Sequence, residues 1–157
     1  MAAASSRERR VRVLAIASGG GHWVQLLRIV PALEGADIAF ATVRADYRQD
    51  RPGDRLYVIE DATRWDRWPL IRCAFQILWI LLRERPDVII TTGAAPGGLA
   101  VLLGRLFRIR SLWLDSIANV EAFSMTGRYA SRFATLSLTQ WSHLAEPNGP
   151  EHAGAVL

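Results

Sequence analysis

The stretch Ser18-Gly19-Gly20-Gly21-His22 decides the fold, because it joins an apolar run to a helix-like segment. The preceding run, Val11–Ala17, is nearly all apolar and predicts a buried strand, while Trp23–Leu33 predicts a helix. A glycine-rich turn between a first strand and a first helix directs backbone N–H groups outward at the positive end of the helix dipole. We therefore predict a phosphate-bearing ligand here, with His22 as a hydrogen-bond donor or general base. A tight turn without a ligand is the simpler alternative.

Two familiar nucleotide-binding motifs do not fit this stretch. The dinucleotide fingerprint needs a third glycine where the chain has Val24, and an acidic residue near the end of the second strand, where it has Arg44. A P-loop needs a lysine, and all 19 basic residues of this chain are arginine. The sequence therefore disfavours a stand-alone nucleotide-binding enzyme of the Rossmann type.

Strands and helices are predicted to alternate along the rest of the chain. This alternation is typical of βαβ units, so we predict an α/β fold with a Rossmann-like, mostly parallel sheet and helices on both faces. The 157 residues allow one domain, at 11–157, after a disordered lead-in at 1–10. The other predicted strands are Asp37–Val43, Arg55–Ile59, Asp87–Thr91, Ser111–Asp115 and Thr135–Thr139, and the other helices are Leu70–Arg85, Gly97–Phe107 and Met125–Phe133. The chain from Trp141 onward is predicted to be irregular.

Polar residues follow two further strands of the predicted sheet. Thr92 and Gly93 begin a second glycine-rich turn, and Asp115, Ser116 and Asn119 follow a later strand. Ligands of parallel sheets bind beyond the carboxyl ends of the strands, so these residues are expected to face the same cleft as the first glycine loop. Two glycine loops facing one cleft would hold an extended anion such as a diphosphate. Asp115 could orient a sugar hydroxyl, assist deprotonation, or cap the turn that follows it.

The predicted helix Leu70–Arg85 is apolar except for a narrow stripe that contains arginine, glutamine and tryptophan. One interpretation is an ordinary core helix packed on the sheet. The other is contact with a bilayer surface, with tryptophans at headgroup level and arginines near lipid phosphates. The residues in question are Trp65, Trp68 and Trp79 together with Arg64, Arg67 and Arg72.

Composition narrows the remaining function classes. The formal net charge is +4, the single cysteine is Cys73, and no disulfide framework or metal cluster is expected. The arginine content reflects either a GC-rich genome or a phosphate-rich partner. The first residues carry no signal-peptide pattern, and no run approaches the roughly 18–20 apolar residues that cross a bilayer. We expect no metal, no resident cofactor and no nucleic-acid partner.

Several motifs occur in an order that resembles the Alg14-like family, the acceptor-side subunits of split glycosyltransferases. They are Ser18–His22, Thr92-Gly93, Asp115-Ser116, Ser124–Arg128 and Thr139-Gln140-Trp141. The glycine loop is shared more widely with MurG-like transferases. The resemblance implies the N-terminal half of a GT-B enzyme, which would bind a lipid-linked acceptor at the cytoplasmic membrane face. An Alg13-like subunit would bind the UDP-sugar, typically UDP-N-acetylglucosamine or a related hexose donor.

The resemblance also implies roles for individual residues. By the resemblance, His22 would be the base for the acceptor hydroxyl, and the loop backbone at Gly19–Gly21 and Gly93 would hold the acceptor diphosphate. Together with the polar residues placed in the same cleft above, the candidate catalytic residues are His22 and Asp115, and the candidate acceptor- and phosphate-binding residues are Ser18, Gly19, Gly20, Gly21, Thr92, Gly93, Ser116 and Asn119. The chain departs from the family by lacking an N-terminal anchor, so attachment to the membrane is expected to be peripheral. It also has Asp115 where a glutamate is common. A non-catalytic scaffold that recruits the Alg13-like subunit is the alternative function.

Overall fold

The computed structural model describes residues 9–63 and 65–156, and its centre is a seven-stranded sheet. All neighbouring strands are parallel, and their order across the sheet is β3-β2-β1-β4-β5-β6-β7. The strands are β1 (Arg12–Ile16), β2 (Asp37–Thr42), β3 (Arg55–Val58), β4 (Val88–Thr91), β5 (Arg110–Leu114), β6 (Leu136–Thr139) and β7 (Glu151–His152). The Rossmann-like parallel sheet predicted from the sequence is confirmed.

Among the residues that the structure describes, four α-helices cover the sheet from both sides. They are α1 (Gly21–Ile29), α2 (Arg67–Glu84), α3 (Ala94–Leu106) and α4 (Met125–Ala130), and short 3-10 turns occupy Val30–Leu33, Ala45–Gln49 and Ser142–Leu144. Side chains alternate between the two faces of a strand, and β1 shows this directly. Val13 and Ala15 pack with Trp23 of α1, whereas Leu14 packs with residues of α2 and α3 such as Ile77. The two sides of the sheet thus hold separate cores.

The helix ends differ from the predicted ones for local reasons. The first helix ends at Ile29 instead of Leu33, because Pro31 has no N–H to continue the α-helical pattern and the chain tightens into a 3-10 turn. The second helix begins at Arg67 rather than Leu70, since a proline within the first turn, Pro69, disrupts no helical hydrogen bond. The third helix begins three residues earlier than predicted, at Ala94.

Two further differences concern the C-terminal part of the chain. The fourth helix ends at Ala130 rather than Phe133. The region after Trp141, predicted to be irregular, contains a 3-10 turn and the short edge strand β7, which pairs with β6 through Leu138 and Glu151.

Three glycines of α3, of which Gly97 and Gly98 belong to the second predicted loop and Gly104 follows later, allow close packing of this helix against its neighbours. A β-carbon at Gly97 would lie 2.1 Å from the hydroxyl oxygen of Thr91, and one at Gly104 would lie 2.4 Å from Cδ1 of Ile89. A β-carbon at Gly98 would lie 2.8 Å from Cγ2 of Thr126 on α4. These glycines let α3 approach both the sheet and α4, a role that the glycine pattern alone did not separate from ligand binding.

The start of the described chain is attached to the sheet. The Asp87 carboxylate accepts from the backbone N–H of Arg12 at 2.9 Å and from the guanidinium groups of Arg12 and Arg9. These bonds, the backbone one foremost, lower the pKa of Asp87 to about 2. Arg9, predicted to lie in a disordered lead-in, is therefore held by an ion pair, while residues 1–8 lie outside the described residues.

Candidate functional site

The predicted site residues lie at one edge of the sheet. Strands β1, β4, β5 and β6 are neighbours and run parallel, so the loops that follow them emerge side by side. His22 and Thr92, which are 70 residues apart in sequence, are in direct contact there. The structure thus brings the two predicted glycine loops together.

His22 is fixed by two hydrogen bonds to the second loop. Its Nδ1 lies 2.7 Å from the carbonyl oxygen of Thr92, and the Thr92 hydroxyl donates to the carbonyl oxygen of His22 at 2.7 Å. A carbonyl oxygen only accepts, so Nδ1 must carry the proton. In a neutral imidazole the other nitrogen, Nε2, then has the free lone pair. The arrangement prepares Nε2 to take a proton.

Gly93 is required by the position of the His22 ring. Its φ of +124° belongs to a backbone region that residues with side chains rarely adopt. A β-carbon there would lie 2.8 Å from Cε1 and 3.0 Å from Nδ1 of His22, inside van der Waals contact. The following residue, Ala94, also has a positive φ of 63°. The second loop therefore shapes the space around the histidine.

The first glycine loop contacts Tyr47, a residue that was not predicted to belong to the site. Gly20 has a φ of +64° and is the N-cap of α1, and its backbone N–H donates to the Tyr47 hydroxyl oxygen at 2.8 Å. Tyr47 stacks on Trp23 with ring centroids 5.0 Å apart, and the Arg44 guanidinium lies 5.5 Å from the Tyr47 ring centroid. The phenol keeps its own hydrogen for donation to a ligand oxygen. No sequence motif pointed to Tyr47, which lies in a short 3-10 turn.

Asp115 is buried and its carboxylate accepts four hydrogen bonds from the protein. Oδ1 accepts from Trp113 Nε1 at 3.1 Å and from the Ser124 hydroxyl at 2.5 Å. Oδ2 accepts from Asn119 Nδ2 at 2.9 Å and from the Ser124 backbone N–H at 2.8 Å. Among the roles left open for Asp115, the geometry favours holding the turn that follows β5 over contact with a substrate.

The Ser124–Arg128 motif forms the start of α4 around the same aspartate. The Ser124 oxygen caps the helix by accepting from the Gly127 backbone N–H at 2.9 Å. A β-carbon at Gly127 would lie 2.6 Å from that oxygen and 2.9 Å from Trp113 Nε1. The serine and the glycine of the motif are both explained by the packing of α4 on β5.

The other predicted phosphate-binding residues also have partners within the protein. The Ser116 hydroxyl oxygen accepts from the Ala118 N–H at 3.3 Å and from Nε2 of Gln25 at 3.2 Å. Asn119 donates to Asp115, and the carbonyl oxygen of Ser18 accepts from the Thr42 hydroxyl at 3.2 Å. Gln25 was not among the residues predicted from the sequence. A polar residue within the apolar face of α1 was the available signal.

The residues predicted to contact a membrane lie on α2 or just before it. This helix packs on the sheet through Cys73, Ile77, Ile80 and Leu81, so the core interpretation holds for one face. The opposite side is exposed and still apolar, at Trp68 (76%), Ile71, Phe75 (68%), Trp79 and Leu82. Trp65 and Arg72 are exposed as well, whereas Arg64 lies outside the described residues.

Two other kinds of site are absent from the part of the chain that the structure describes. Residues 9–63 and 65–156 contain no helix with the length and apolar character needed to span a bilayer. The same residues hold no group of three or more side chains placed to bind a metal ion.

Comparison with known sequences finds curated relatives over most of the chain. The chain is 27% identical to the UDP-N-acetylglucosamine transferase subunit ALG14 of Eremothecium gossypii, over 85% of this chain and 74% of that protein. It is 26% identical to the human subunit of the same name, over 85% of this chain and 77% of that protein. No protein-family model matches the chain.

Comparison with solved structures finds the same fold in longer chains. MurG of Acinetobacter baumannii matches 92% of this chain with a TM-score of 0.75 and 16% identity. A UDP-N-acetylglucosamine 2-epimerase of Rickettsia bellii matches 94% with a TM-score of 0.73 and 11% identity. The chain spans less than half of either, 45% and 46%. The resemblance to the Alg14-like family is thus confirmed over most of the chain, and its fold is that of the N-terminal Rossmann-like half of a GT-B glycosyltransferase.

Proposed function

We propose that this chain is the acceptor-binding, membrane-associated subunit of a two-chain glycosyltransferase. The complete enzyme would transfer N-acetylglucosamine or a related hexose from a UDP-sugar to a lipid-linked acceptor in polysaccharide or glycolipid synthesis. The observation that carries the proposal is the bond between His22 Nδ1 and the Thr92 carbonyl oxygen, which leaves Nε2 as the proton acceptor beside two glycine loops. The likeness to proteins named as transferase subunits supports a partner chain.

The proposed reaction uses this nitrogen as a general base. His22 Nε2 takes the proton of the acceptor hydroxyl while that oxygen attacks the anomeric carbon of the donor sugar. The bond between this carbon and the UDP oxygen breaks, and UDP leaves with the electron pair. The acceptor phosphates would lie against the first glycine loop, where the N-terminus of α1 and the Tyr47 hydroxyl supply donors.

The donor is proposed to bind mainly to an Alg13-like subunit. Ligand sites form preferentially where domains meet, and the structures that match this fold are more than twice as long as the chain. One Rossmann-like sheet would then hold the acceptor, and a second sheet on the partner would hold the UDP-sugar. Neither a metal nor another resident cofactor has a part in this proposal.

A transfer assay with radiolabelled UDP-N-acetylglucosamine and a membrane fraction tests the function. It compares this chain alone, an Alg13-like partner alone, and the two together. The proposal expects product from the pair and little or none from either chain alone. Equal product from the partner alone would support the scaffold alternative. Robust turnover by this chain alone would contradict the split-enzyme proposal.

Membrane association is proposed to occur through the outer side of α2, at the cytoplasmic face. Exposed aromatic and aliphatic side chains there would enter the interfacial layer, and Arg67, Arg72 and Arg83 would lie near lipid phosphates. The Arg83 guanidinium also lies 5.2 Å from the ring centroid of Trp79, which keeps both groups on this surface.

Replacing Phe75 with glutamate is expected to weaken binding to vesicles that contain anionic phospholipid by roughly tenfold or more, because burial of one such ring contributes about 1.5–3 kcal/mol. Vesicle co-sedimentation measures the loss. Val24→Glu is the matched control, since Val24 is also exposed but lies on α1 at the opposite face of the sheet. If the two variants bind vesicles equally well, the proposal that α2 contacts the membrane is contradicted.

A further inference from the structure

We propose that Gln25 and Gln140 are positioning residues, which together tie the C-terminal segment of the chain to the loop after β5. Both side chains are buried, with 5% and 3% of their surface exposed, and they lie 115 residues apart in sequence. Nε2 of Gln140 donates to Oε1 of Gln25 at 2.5 Å. A buried amide pair must have its remaining donors and acceptors satisfied, and the groups that satisfy them identify what the pair holds.

Backbone groups fix the orientation of both amides. Oε1 of Gln25 accepts from the Ile117 backbone N–H at 3.1 Å, and its Nε2 faces the Gly21 carbonyl oxygen at 3.3 Å. Nε2 of Gln140 donates to the Asp115 carbonyl oxygen at 2.9 Å, while its Oε1 accepts from the Val156 N–H at 2.8 Å. Since backbone N–H groups only donate and carbonyl oxygens only accept, neither amide can be turned over without losing bonds.

The pair holds the loop after β5 against the helix that carries His22. Gln25 lies one helical turn after His22 on α1 and contacts Ser116 and Ile117 of the loop. The Asp115 carboxylate holds the same loop through Asn119 and Ser124. The distance between the His22 helix and this loop is therefore set by a buried amide and not by apolar packing alone.

The same pair connects this loop to the end of the described chain. Val156 donates to Gln140 and its carbonyl oxygen accepts from Arg28 of α1 at 3.4 Å. Trp141, next to Gln140, donates from its indole to the Ile117 carbonyl oxygen at 2.8 Å. A change in how the C-terminal segment is bound would thus reach the Ile117 backbone N–H through two side chains, Gln140 and Gln25. One consequence rests on the proposed two-chain enzyme: a partner that contacts this C-terminal segment would change the position of the loop after β5.

Hydrogen exchange at the Ile117 backbone amide tests the pair without any assay of transfer. Gln140→Glu keeps the shape of the side chain but turns its donor toward Gln25 and Asp115 into an acceptor. We expect the protection of the Ile117 amide to fall about tenfold, the equivalent of one net hydrogen bond. Gln140→Met, which removes the polar group, should act in the same direction, and Gln49→Glu at an exposed glutamine is the matched control. Unchanged protection in the folded Gln140 variants would overturn the proposal.

Deletion of residues 155–157 tests the connection to the C-terminal segment. The truncated chain should lose protection at the Ile117 amide in the same direction, because Gln140 loses the N–H of Val156. An exchange rate at Ile117 equal to that of the wild type after the deletion would contradict the link to the C-terminal segment, and would leave the two glutamines only the role of holding the loop.

If the two-chain enzyme proves active, Gln140→Met should raise KM for the acceptor more than it lowers kcat. If neither the wild type nor any variant transfers sugar, the proposed function is rejected, whereas the hydrogen-exchange result for the two glutamines remains valid.

Discussion

Replacing His22 with alanine is expected to lower the transfer rate of the assembled two-chain enzyme by about 10²- to 10⁴-fold, the usual contribution of a general base. The reason is the bond from Nδ1 to the Thr92 carbonyl oxygen, which leaves Nε2 as the acceptor nitrogen. The effect should fall on kcat rather than on KM, since glycine-loop groups and not the imidazole would hold the acceptor phosphates. Single-turnover rates with saturating acceptor measure it.

A second variant and a control separate the proposed base function of His22 from its hydrogen bond to the Thr92 carbonyl oxygen. The glutamine in His22→Gln can still donate to the Thr92 carbonyl oxygen but has no nitrogen that can act as a base. This variant should therefore lose transfer activity, while its melting temperature stays closer to that of the wild type than the melting temperature of His22→Ala does. His143→Ala is the matched control, because His143 is exposed and bonds the Val120 carbonyl oxygen at 2.7 Å. A complex that keeps full activity with His22→Ala would reject the catalytic role.

The sheet could be predicted because parallel strands covered on both faces are short, nearly continuous apolar runs. Every predicted strand region contains a strand, from Val11–Ala17 to Thr135–Thr139. The two-residue strand β7 could not be predicted, since Glu151 and His152 have no strand pattern and pair only because β6 offers an open edge. Helix ends also depended on details of proline placement at Pro31 and Pro69.

The arrangement of the candidate site was predicted in part, because some of it depends on tertiary contacts that the sequence does not indicate. Glycine and histidine give local signals, so the loop ending in His22 and the turn at Gly93 could be read from the sequence. Tyr47 could not, because its contact with Gly20 joins residues 27 positions apart through a turn that has no motif. The orientation of His22 likewise depends on a backbone carbonyl, which every residue has. A pattern of residue types says nothing about such a partner.

For Asp115, the sequence predicts the position in the fold but leaves the role of the side chain open. Its place after β5 was predicted, and so was its closeness to the cleft. Whether a carboxylate there touches substrate depends on which donors surround it. Four donors come from Trp113, Asn119 and Ser124, and the last of these is nine residues later in the chain. The buried carboxylate is therefore already occupied by the protein.

Asp115→Asn is consequently expected to lower the free energy of unfolding by roughly 3 kcal/mol, because an amide NH₂ would face two donors that now have a carboxylate oxygen, at about 1–3 kcal/mol for each buried group left unsatisfied. Urea denaturation with an unchanged m-value measures the loss. Asp61→Asn, at an exposed aspartate, is the control and should leave the midpoint within experimental error.

The same variant decides between the two roles of Asp115, because each predicts a different pair of results. If Asp115 is a positioning residue, the Asp115→Asn chain should be less stable and its Trp113 indole more exposed. Its loss of transfer activity should then be partly reversed at low temperature, or when the partner or the acceptor is bound. A residue that touches the substrate gives a midpoint equal to wild type and a transfer loss that no condition restores. We expect the first result, since a carboxylate that already accepts four hydrogen bonds would have to break some of them to reach a sugar hydroxyl.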